Sequence, residues 1–170
     1  AAIDGCIDYK KDILNINDTF TVRGDVDSAS GNIDFLGTVI VQGDVLEGFS
    51  VKAGRDIIVR GMVEGAMLDA GESIMISNGM NGMGKGLLKA KENVTGKYFE
   101  NTRIECGGNI NADVIMNCIV HSGNAIILKG RHALLVGGKS VAGKCIYANT
   151  IGSNSNVKTD ISIQSDVLKQ

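Results

Sequence analysis

Apolar and polar residues alternate along this chain with a period of two, in short runs of three to five residues. In Ile57-Ile58-Val59-Arg60-Gly61, Ile57 and Val59 point to one side of the backbone and Arg60 points to the other. Such alternation is typical of a β-strand, because a helix repeats every 3.6 residues. Each run ends at a glycine or a polar residue, too soon for a βαβ unit, whose crossover needs a dozen residues. The pattern predicts an all-β fold of many short strands.

A short phrase recurs about every sixteen residues. It reads Ala-Gly or Gly-Gly, then a polar residue, then Asp, Asn or Ser, then a β-branched residue. The β-branched residues that mark successive copies are Val39, Ile57, Ile74, Val94, Ile110, Ile126, Val141 and Val157. Their spacings are 18, 17, 20, 16, 16, 15 and 16 residues. A fixed period of this size indicates one structural unit stacked on itself.

Short strands at this period predict a single-stranded parallel β-helix (β-solenoid) of about eight rungs, each of 15–18 residues. Three faces of about five residues account for one rung, and rungs about 4.8 Å apart give a rod roughly 35–40 Å long. We expect a right-handed helix. A left-handed hexapeptide helix requires a strict period of eighteen, and a propeller blade requires about forty residues.

The repeat also assigns positions within a rung. Inward positions are predicted for Val39, Val41, Val45, Val51 and Ala53, for Ile57, Val59, Val63, Leu68 and Ala70, and for Ile74, Ile76, Leu88 and Ala90. We expect the polar corner residues Asp56, Ser73, Asn93 and Asn109 to stack on one another, since Asn and Asp tolerate turn geometry. The one long spacing, between Ile74 and Val94, contains a glycine-rich insertion, Asn78 to Gly86.

The two ends of the chain are less regular than its centre. Residues 1–21 contain two weakly alternating runs, Ile3 to Ile7 and Ile13 to Ile16, and we expect them to form strands that cap the rod. Residues 22–170 form the predicted β-helix domain, with Asp160 to Ile163 as its last strand. The chain begins with Ala rather than Met, and we expect it to be part of a longer protein.

Composition narrows the function classes. The chain has 170 residues, 23 of them glycine and none proline, and a net charge of −2. Near-neutral charge provides no general attraction to nucleic acid or to anionic membranes. No run of eighteen apolar residues occurs, so we expect no membrane insertion.

The four cysteines, Cys6, Cys106, Cys118 and Cys145, fit no common zinc-binding spacing. Three of them stand where other copies of the repeat carry an aliphatic residue. We therefore expect buried thiols in a reducing compartment.

The stretch from Val22 to Phe35, VRGDVDSASGNIDF, resembles the opening motif of the flagellar assembly protein A family, formerly domain of unknown function 342. The similarity continues through Gly37-Thr38-Val39, Gly43-Asp44-Val45, Gly61 to Ala66 and Ile151-Gly152-Ser153, and covers about residues 22–165. This resemblance implies a bacterial cytoplasmic protein with a β-helical domain. It implies a scaffold or localisation role in flagellar assembly or at the cell envelope. The family provides no catalytic residues to transfer.

The glycine-rich segment Gly79 to Gly86 matches the phosphate-binding loop G-x-x-x-x-G-K but has Gly86 where Ser or Thr would bind magnesium. A phosphate loop also needs a following helix, and Leu87 to Ala90 has the pattern of a strand. We interpret the segment as a flexible loop that projects from the rod. Met80, Met83 and Lys85 are the candidate partner-binding residues, since methionine adapts to varied apolar surfaces.

Other polar groups give weaker signals. Carboxylates expected on the outside are Asp27, Asp34, Asp44, Glu47, Glu64, Asp69 and Glu72. A glycosidase needs two of them together, and stacking of rungs is the only way to assemble such a pair here. His121 and His132 lie eleven residues apart without metal-ligand spacing. Basic residues cluster late in the chain, at Lys129, Arg131, His132, Lys139 and Lys144.

We therefore expect a non-enzymatic scaffold or protein-interaction domain in the bacterial cytoplasm, with no catalytic residue, metal or cofactor. Its partners are expected to be proteins, including further copies of itself, and not nucleic acid. The alternative is a carbohydrate-active β-helix enzyme, a lyase or hydrolase, which requires a cleft with three or more converging carboxylates. A nucleotide-binding protein is the third hypothesis, and it depends on the glycine-rich segment.

Overall fold

The computed structural model describes residues 6–8, 15–155 and 157–164, with side chains from residue 18 onward. Within these residues the chain forms twenty strands and no helix. The first ten are β1 (Cys6–Asp8), β2 (Asn15–Asn17), β3 (Thr19–Val22), β4 (Ile33–Phe35), β5 (Thr38–Val41), β6 (Ser50–Ala53), β7 (Ile57–Val59), β8 (Met62–Glu64), β9 (Met67–Ala70) and β10 (Ile74–Ile76). The others are β11 (Gly79–Ala90), β12 (Val94–Thr95), β13 (Tyr98–Cys106), β14 (Ile110–Ala112), β15 (Val114–Ser122), β16 (Ala125–Leu128), β17 (Leu134–Ala142), β18 (Cys145–Tyr147), β19 (Thr150–Ile151) and β20 (Thr159–Ile163).

Parallel strands stack into a β-solenoid of about eight turns, which confirms the predicted fold class. What we call the first face is an eight-stranded sheet in the order β18-β16-β14-β12-β10-β7-β5-β3. The second face consists of β8, the first parts of β11, β13, β15 and β17, and β19. The third face consists of β4, β6, β9, the later parts of β11, β13, β15 and β17, and β20. Every turn of the backbone is thus paired with the next.

The core consists of columns of equivalent side chains. On the first face one column contains Phe20, Val39, Ile57, Ile74, Val94, Ile110, Ile126 and Ile146. All inward positions predicted for the three turns between Val39 and Ala90 are buried. Full burial of a Val, Ile or Leu side chain contributes about 1.5–3 kcal/mol, so these columns provide the main stabilisation of the rod.

The last two predicted markers, Val141 and Val157, are wrong. Ile126 pairs with Ile146 instead. Val141 pairs with His121 on the third face, and Val157 lies outside the strands. The cause is a second insertion: Leu134 follows Ile126 by eight residues, whereas Val114 follows Ile110 by four. The extra residues, Lys129 to His132, form a turn that the sequence pattern did not reveal.

The corner prediction is confirmed. Asp56 Oδ1 accepts the backbone N–H of Ser73 at 3.0 Å, and Ser73 Oγ accepts that of Asn93 at 3.3 Å. Asn93 Oδ1 accepts the N–H of Asn109 at 2.9 Å. These polar side chains therefore connect successive turns at the corner that precedes the first face.

Strands occur near both predicted ends. β1 and β2 pair antiparallel, with Ile7 opposite Ile16. At the other end β20 pairs in parallel with β17 and includes the predicted last strand. Residues 1–5, 9–14 and 165–170 lie outside the described residues, and the division at residue 21 stays a prediction.

Candidate functional site

The glycine-rich segment lies within one continuous strand, β11, and not in a projecting loop. Gly79, Met80 and Asn81 pair with β13, the register then shifts, and pairing resumes at Gly86. The intervening residues, Gly82 to Lys85, form a bulge at the corner between the second and third faces. A bulge inserts unpaired residues and redirects side chains without breaking the strand.

No phosphate loop forms at this segment. Leu87 to Ala90 is the later part of β11, which confirms the predicted strand where a helix would be needed. A phosphate loop binds its ligand with backbone N–H groups at a helix N-terminus, and here the N–H groups of Leu87 to Ala90 belong to a parallel sheet. The nucleotide-binding hypothesis loses its structural basis.

The structure separates the three candidate partner-binding residues. Met80 is fully buried in the core, so its expected position at an exposed tip is wrong. The strand alternation continues through Gly79 and Asn81 and turns Met80 inward, above Val63 and next to Phe99 in the same column. Met83 is half exposed, and Lys85 forms an ion pair with Glu47.

Met83 adopts a backbone conformation that is unusual for its type. Its φ is +54°, in the left-handed region. Other turns place Asn101, Asn117 and Gly137 in this region at the same corner, with φ of 50°, 53° and 72°. Asn and Gly tolerate this conformation, whereas a long side chain is disfavoured there. Met83 thus combines backbone strain with an exposed apolar side chain.

The bulge is held against the rod by polar contacts. Asn81 Oδ1 accepts the N–H of Met83 at 3.0 Å. The Lys85–Glu47 ion pair crosses the intervening turn, where a side chain at Gly65 would contact both Met83 and Lys85. Met83 therefore has a defined position on the corner.

The outward carboxylates are dispersed, and several of them have structural roles. Asp44 Oδ1 accepts the N–H of Met62 at 2.8 Å, and Asp27 Oδ1 accepts that of Ala29 at 2.9 Å. Glu72 lies 3.6 Å from Arg55, which also contacts Asp18 at 2.6 Å. The remaining predicted acids occupy outward positions: Asp34 and Asp69 on the third face and Glu64 on the second. Among the described residues, the surface clefts at Glu105 and at Asp113 are each lined by a single carboxylate, whereas glycoside hydrolysis needs a pair.

The histidines and late basic residues occupy separate places. His121 is on the third face beside Glu105, and His132 is in the second insertion. Lys139 lies on the third face, and Lys144 lies at the corner after it. No group of three or more His, Cys, Asp and Glu in the described part of the chain has metal-binding geometry.

Burial determines the chemistry of two thiols. It raises the pKa of Cys118 to about 11 and that of Cys106 to about 11, because a thiolate is disfavoured away from water. Cys106 stands in the column of Ala53, Ala70 and Ala90, as the repeat predicted. Both thiols are packing residues and not nucleophiles.

Sequence reasoning missed two features of the surface. The first face has an outward column with two apolar parts, Ile40, Ile58 and Met75 at one end and Ile127 and Tyr147 at the other, separated by Thr95 and Asn111. The third face has a column of alternating charge, described below. Both could be found by comparing equivalent outward positions across turns, once the register is known.

The sequence model of a protein family, the flagellar assembly protein A β-solenoid domain, matches residues 18–170. The chain belongs to this family. No curated protein and no solved structure matches the chain. The described residues contain no helix that is long and apolar enough to cross a membrane. The family is named for flagellar assembly and is not a known enzyme family.

Proposed function

We propose that this domain is a non-enzymatic scaffold in the bacterial cytoplasm, which binds a protein partner of flagellar assembly through the bulge around Met83. The observation that carries the proposal is the strained, half-exposed Met83 at a corner where other turns have Asn or Gly. Strained residues occur preferentially at functional sites, and methionine is frequent at surfaces that bind protein segments.

The surroundings of Met83 combine apolar surface with basic side chains. A groove beside the bulge is lined by Met67, Leu87 and Ile119 together with Lys85 and Arg103, and Arg103 lies between Leu87 and Ile119 in one column. Met67 and Ile119 are 50 % and 55 % exposed, so they offer apolar surface near the bulge. Met and Arg are both enriched at protein–protein interfaces.

The carbohydrate-active alternative has no comparable support. Its required cleft of carboxylates has no counterpart among the described residues, since Asp44 and Asp27 accept backbone hydrogen bonds and Glu47 pairs with Lys85. The scaffold proposal predicts no turnover of polysaccharides by the purified chain.

Replacing Met83 by Asn tests the proposal. Asn fits the left-handed conformation as it does in neighbouring turns, so M83N should raise the free energy of unfolding by about 0.5–1 kcal/mol. The proposal predicts that M83N also reduces the number of flagella per cell when it replaces the chromosomal copy. A gain in stability with a loss of assembly would separate partner binding from folding.

The matched control is Met75→Asn. Met75 is also 50 % exposed but lies on the first face, outside the bulge. M75N should leave flagellation unchanged. Normal flagellation of cells that carry M83N would overturn the assignment of the partner site to the bulge.

A further inference from the structure

The third face has a column in which acidic and basic residues alternate over six turns, after which Val141 and Ser162 continue the column without charge. The strand register places one residue of each turn directly above the next. In order along the rod, the members of this charge ladder are Asp34, Lys52, Asp69, Lys89, Glu105 and His121. Neighbouring turns are about 4.8 Å apart, so Lys52, Asp69 and Lys89 each lie between two residues of opposite charge.

These charged groups are accessible. Glu105 is half-exposed, and the other five members are exposed. The side-chain ion pairs among the described residues include one ladder member, Glu105, which lies 3.8 Å from Arg103. The ladder therefore presents its charges to solvent rather than using them in close contacts within the chain.

An alternating ladder with an even number of members is complementary to its own reverse. If a second copy faces the ladder with its rod antiparallel, a two-fold axis can pass between Asp69 and Lys89. Lys52 then faces Glu105 of the second copy, Asp69 faces Lys89, and Asp34 faces His121. The symmetry repeats each contact, as an isologous interface requires.

Other two-fold arrangements bring like charges together. In a parallel pair of rods related by a two-fold axis, each ladder member faces itself, so Asp69 meets Asp69. An antiparallel pair whose axis passes through Asp69 places Lys52 opposite Lys89. A shift of the axis by one whole turn toward either end restores opposite charges but leaves fewer members paired. Charge patterns of this kind select one register by penalising the others.

The neighbouring outward column provides apolar contact beside the same axis. It contains Met67 and Leu87 on the two turns that flank the axis. Met67 is 50 % exposed. In this register six turns of each copy overlap, and four residues per strand give an overlapping face about 13 Å by about 29 Å. Two such faces bury about 750 Å², less than the roughly 1,000 Å² of a stable specific interface, so the dimer is expected to be weak and transient.

We propose that two copies of this chain form an antiparallel dimer through their third faces, in the register set by Lys52 and Glu105. The evidence for the dimer is the charge ladder, whose members do not line the groove beside Met83. Met67 and Leu87 belong to both surfaces, so dimer formation and partner binding at the bulge would compete.

Charge reversal tests the dimer with purified protein. Sedimentation velocity of the 170-residue chain in low salt should show a monomer–dimer equilibrium that weakens as salt screens the charges. Lys52→Glu and Glu105→Lys should each raise the dimer dissociation constant by about tenfold or more, because each places two like-charged pairs in the interface.

Mixing the two variants separates contacts between copies from contacts within one chain. In a heterodimer of K52E and E105K, one copy is acidic at both contact positions and the other copy is basic at both. Each of the two symmetry-related contacts then joins opposite charges, so the equimolar mixture should associate about as tightly as wild type. Repulsion within either chain cannot be relieved by the other chain. Circular dichroism melting of each variant alone shows that both are folded.

Arg60→Glu is the control for net charge. Arg60 is exposed beyond the end of β7, outside the third face, and its reversal changes the net charge as K52E does. R60E should dimerise as wild type, and its heterodimer with E105K should stay weaker than the wild-type dimer, because one of its two contacts still joins two lysines. The proposal is overturned if wild type stays monomeric up to about 1 mM, because a dissociation constant above that value is far weaker than that of a specific interface. It is also overturned if K52E and E105K fail to rescue each other, or if R60E rescues E105K as well as K52E does.

Discussion

Asn93 and Asn109 are joined across two turns of the solenoid by a hydrogen bond from the backbone N–H of Asn109 to Oδ1 of Asn93, at 2.9 Å. At the next turn of the same corner, Asn109 Oδ1 accepts hydrogen bonds from Nδ2 of Asn124 at 2.6 Å and from the backbone N–H of Ala125 at 3.2 Å. A corner turns the backbone away from the sheet, so its N–H groups need partners other than the neighbouring strand. The asparagine side chains provide those partners.

Asn93→Ala should lower the free energy of unfolding by about 1–2 kcal/mol, because it leaves the Asn109 N–H without its acceptor. Urea denaturation measures the change. Asn111→Ala is the matched control: Asn111 points outward on the first face and has no side-chain hydrogen bond among the described residues. Its replacement should change stability by less than about 0.5 kcal/mol. Equal effects of N93A and N111A on the free energy of unfolding would show that the asparagine hydrogen bonds at the corner contribute little to stability.

Gly71→Ala should be strongly destabilising. A Cβ at Gly71 would lie 2.0 Å from the carbonyl oxygen of Gly54 on the preceding turn, and backbone cannot move aside as a flexible side chain can. Separating two stacked turns should cost about 3 kcal/mol or more. Thermal melting of G71A checks this.

Gly24→Ala provides the comparison for the effect of glycine on the unfolded chain. A Cβ at Gly24 meets nothing within 4 Å. G24A should be neutral or stabilise by up to about 1 kcal/mol, because alanine reduces the freedom of the unfolded chain. Comparable losses in G71A and G24A would contradict the steric explanation.

Stability should fall at alkaline pH because of the two buried thiols. The pKa values of Cys118 and Cys106 rise from 9.0 to about 11 on burial. Each folded thiol stays protonated where an unfolded thiol ionises. The stabilisation is therefore complete below about pH 9 and is lost as the pH rises toward 11, by about 2 kcal/mol per thiol. Urea midpoints between pH 8 and 11 measure the loss.

Thiol labelling gives an independent readout in a Cys6→Ser background. Cys145 is partly exposed and should react with a disulfide reagent at pH 8 within minutes, whereas the two buried thiols should react only on unfolding. Rapid labelling of all three thiols in the folded protein would refute the packing assigned to them.

Asp113 should control the turn of the second insertion. Its Oδ1 accepts the N–H of Ala133 at 2.8 Å and that of His132 at 3.0 Å. The hydrogen bond from Ala133, and then that from His132, lower the pKa of Asp113. A lowered carboxyl pKa stabilises the fold above the unfolded value near 3.8, and this contribution is lost as the pH falls through the folded value.

Asp113→Ala should therefore speed hydrogen exchange of the His132 and Ala133 amides at neutral pH, while Asp113→Asn should retain part of the protection through its amide oxygen. The carboxylate itself should lose its advantage only as the pH falls through its folded pKa, which lies below 3.8, so D113N and wild type should converge in exchange protection there once intrinsic rates are corrected. Exchange rates unchanged in D113A would remove Asp113 from control of this turn.

The regular part of the repeat could be predicted from the sequence, whereas its irregularities could not. Six of the eight markers, from Val39 to Ile126, stack as predicted because a strand buries alternate residues wherever it lies. Val141 was misassigned because Leu128 to Ala133 has no repeat phrase to reveal that the turn is longer. Spacing alone cannot separate a longer turn from a shorter strand.

The candidate site was partly readable from the same pattern. The long spacing between Ile74 and Val94 pointed to the glycine-rich segment, and Met83 is exposed there. The burial of Met80 could not be predicted, because β11 contains four glycines, which are poor indicators of a strand. The strain at Met83 depends on a backbone angle, which no composition rule reports.

By itself the sequence determined the all-β solenoid, its approximate number of turns, its core columns and its asparagine corners, since these follow from a local alternation repeated at a fixed period. Only the tertiary structure decided which outward residues share a column. Asp34 and His121 are 87 positions apart in the chain yet belong to one charge ladder. The register of each turn depends on the cumulative length of every bulge and corner before it, and three-dimensional packing fixes that length.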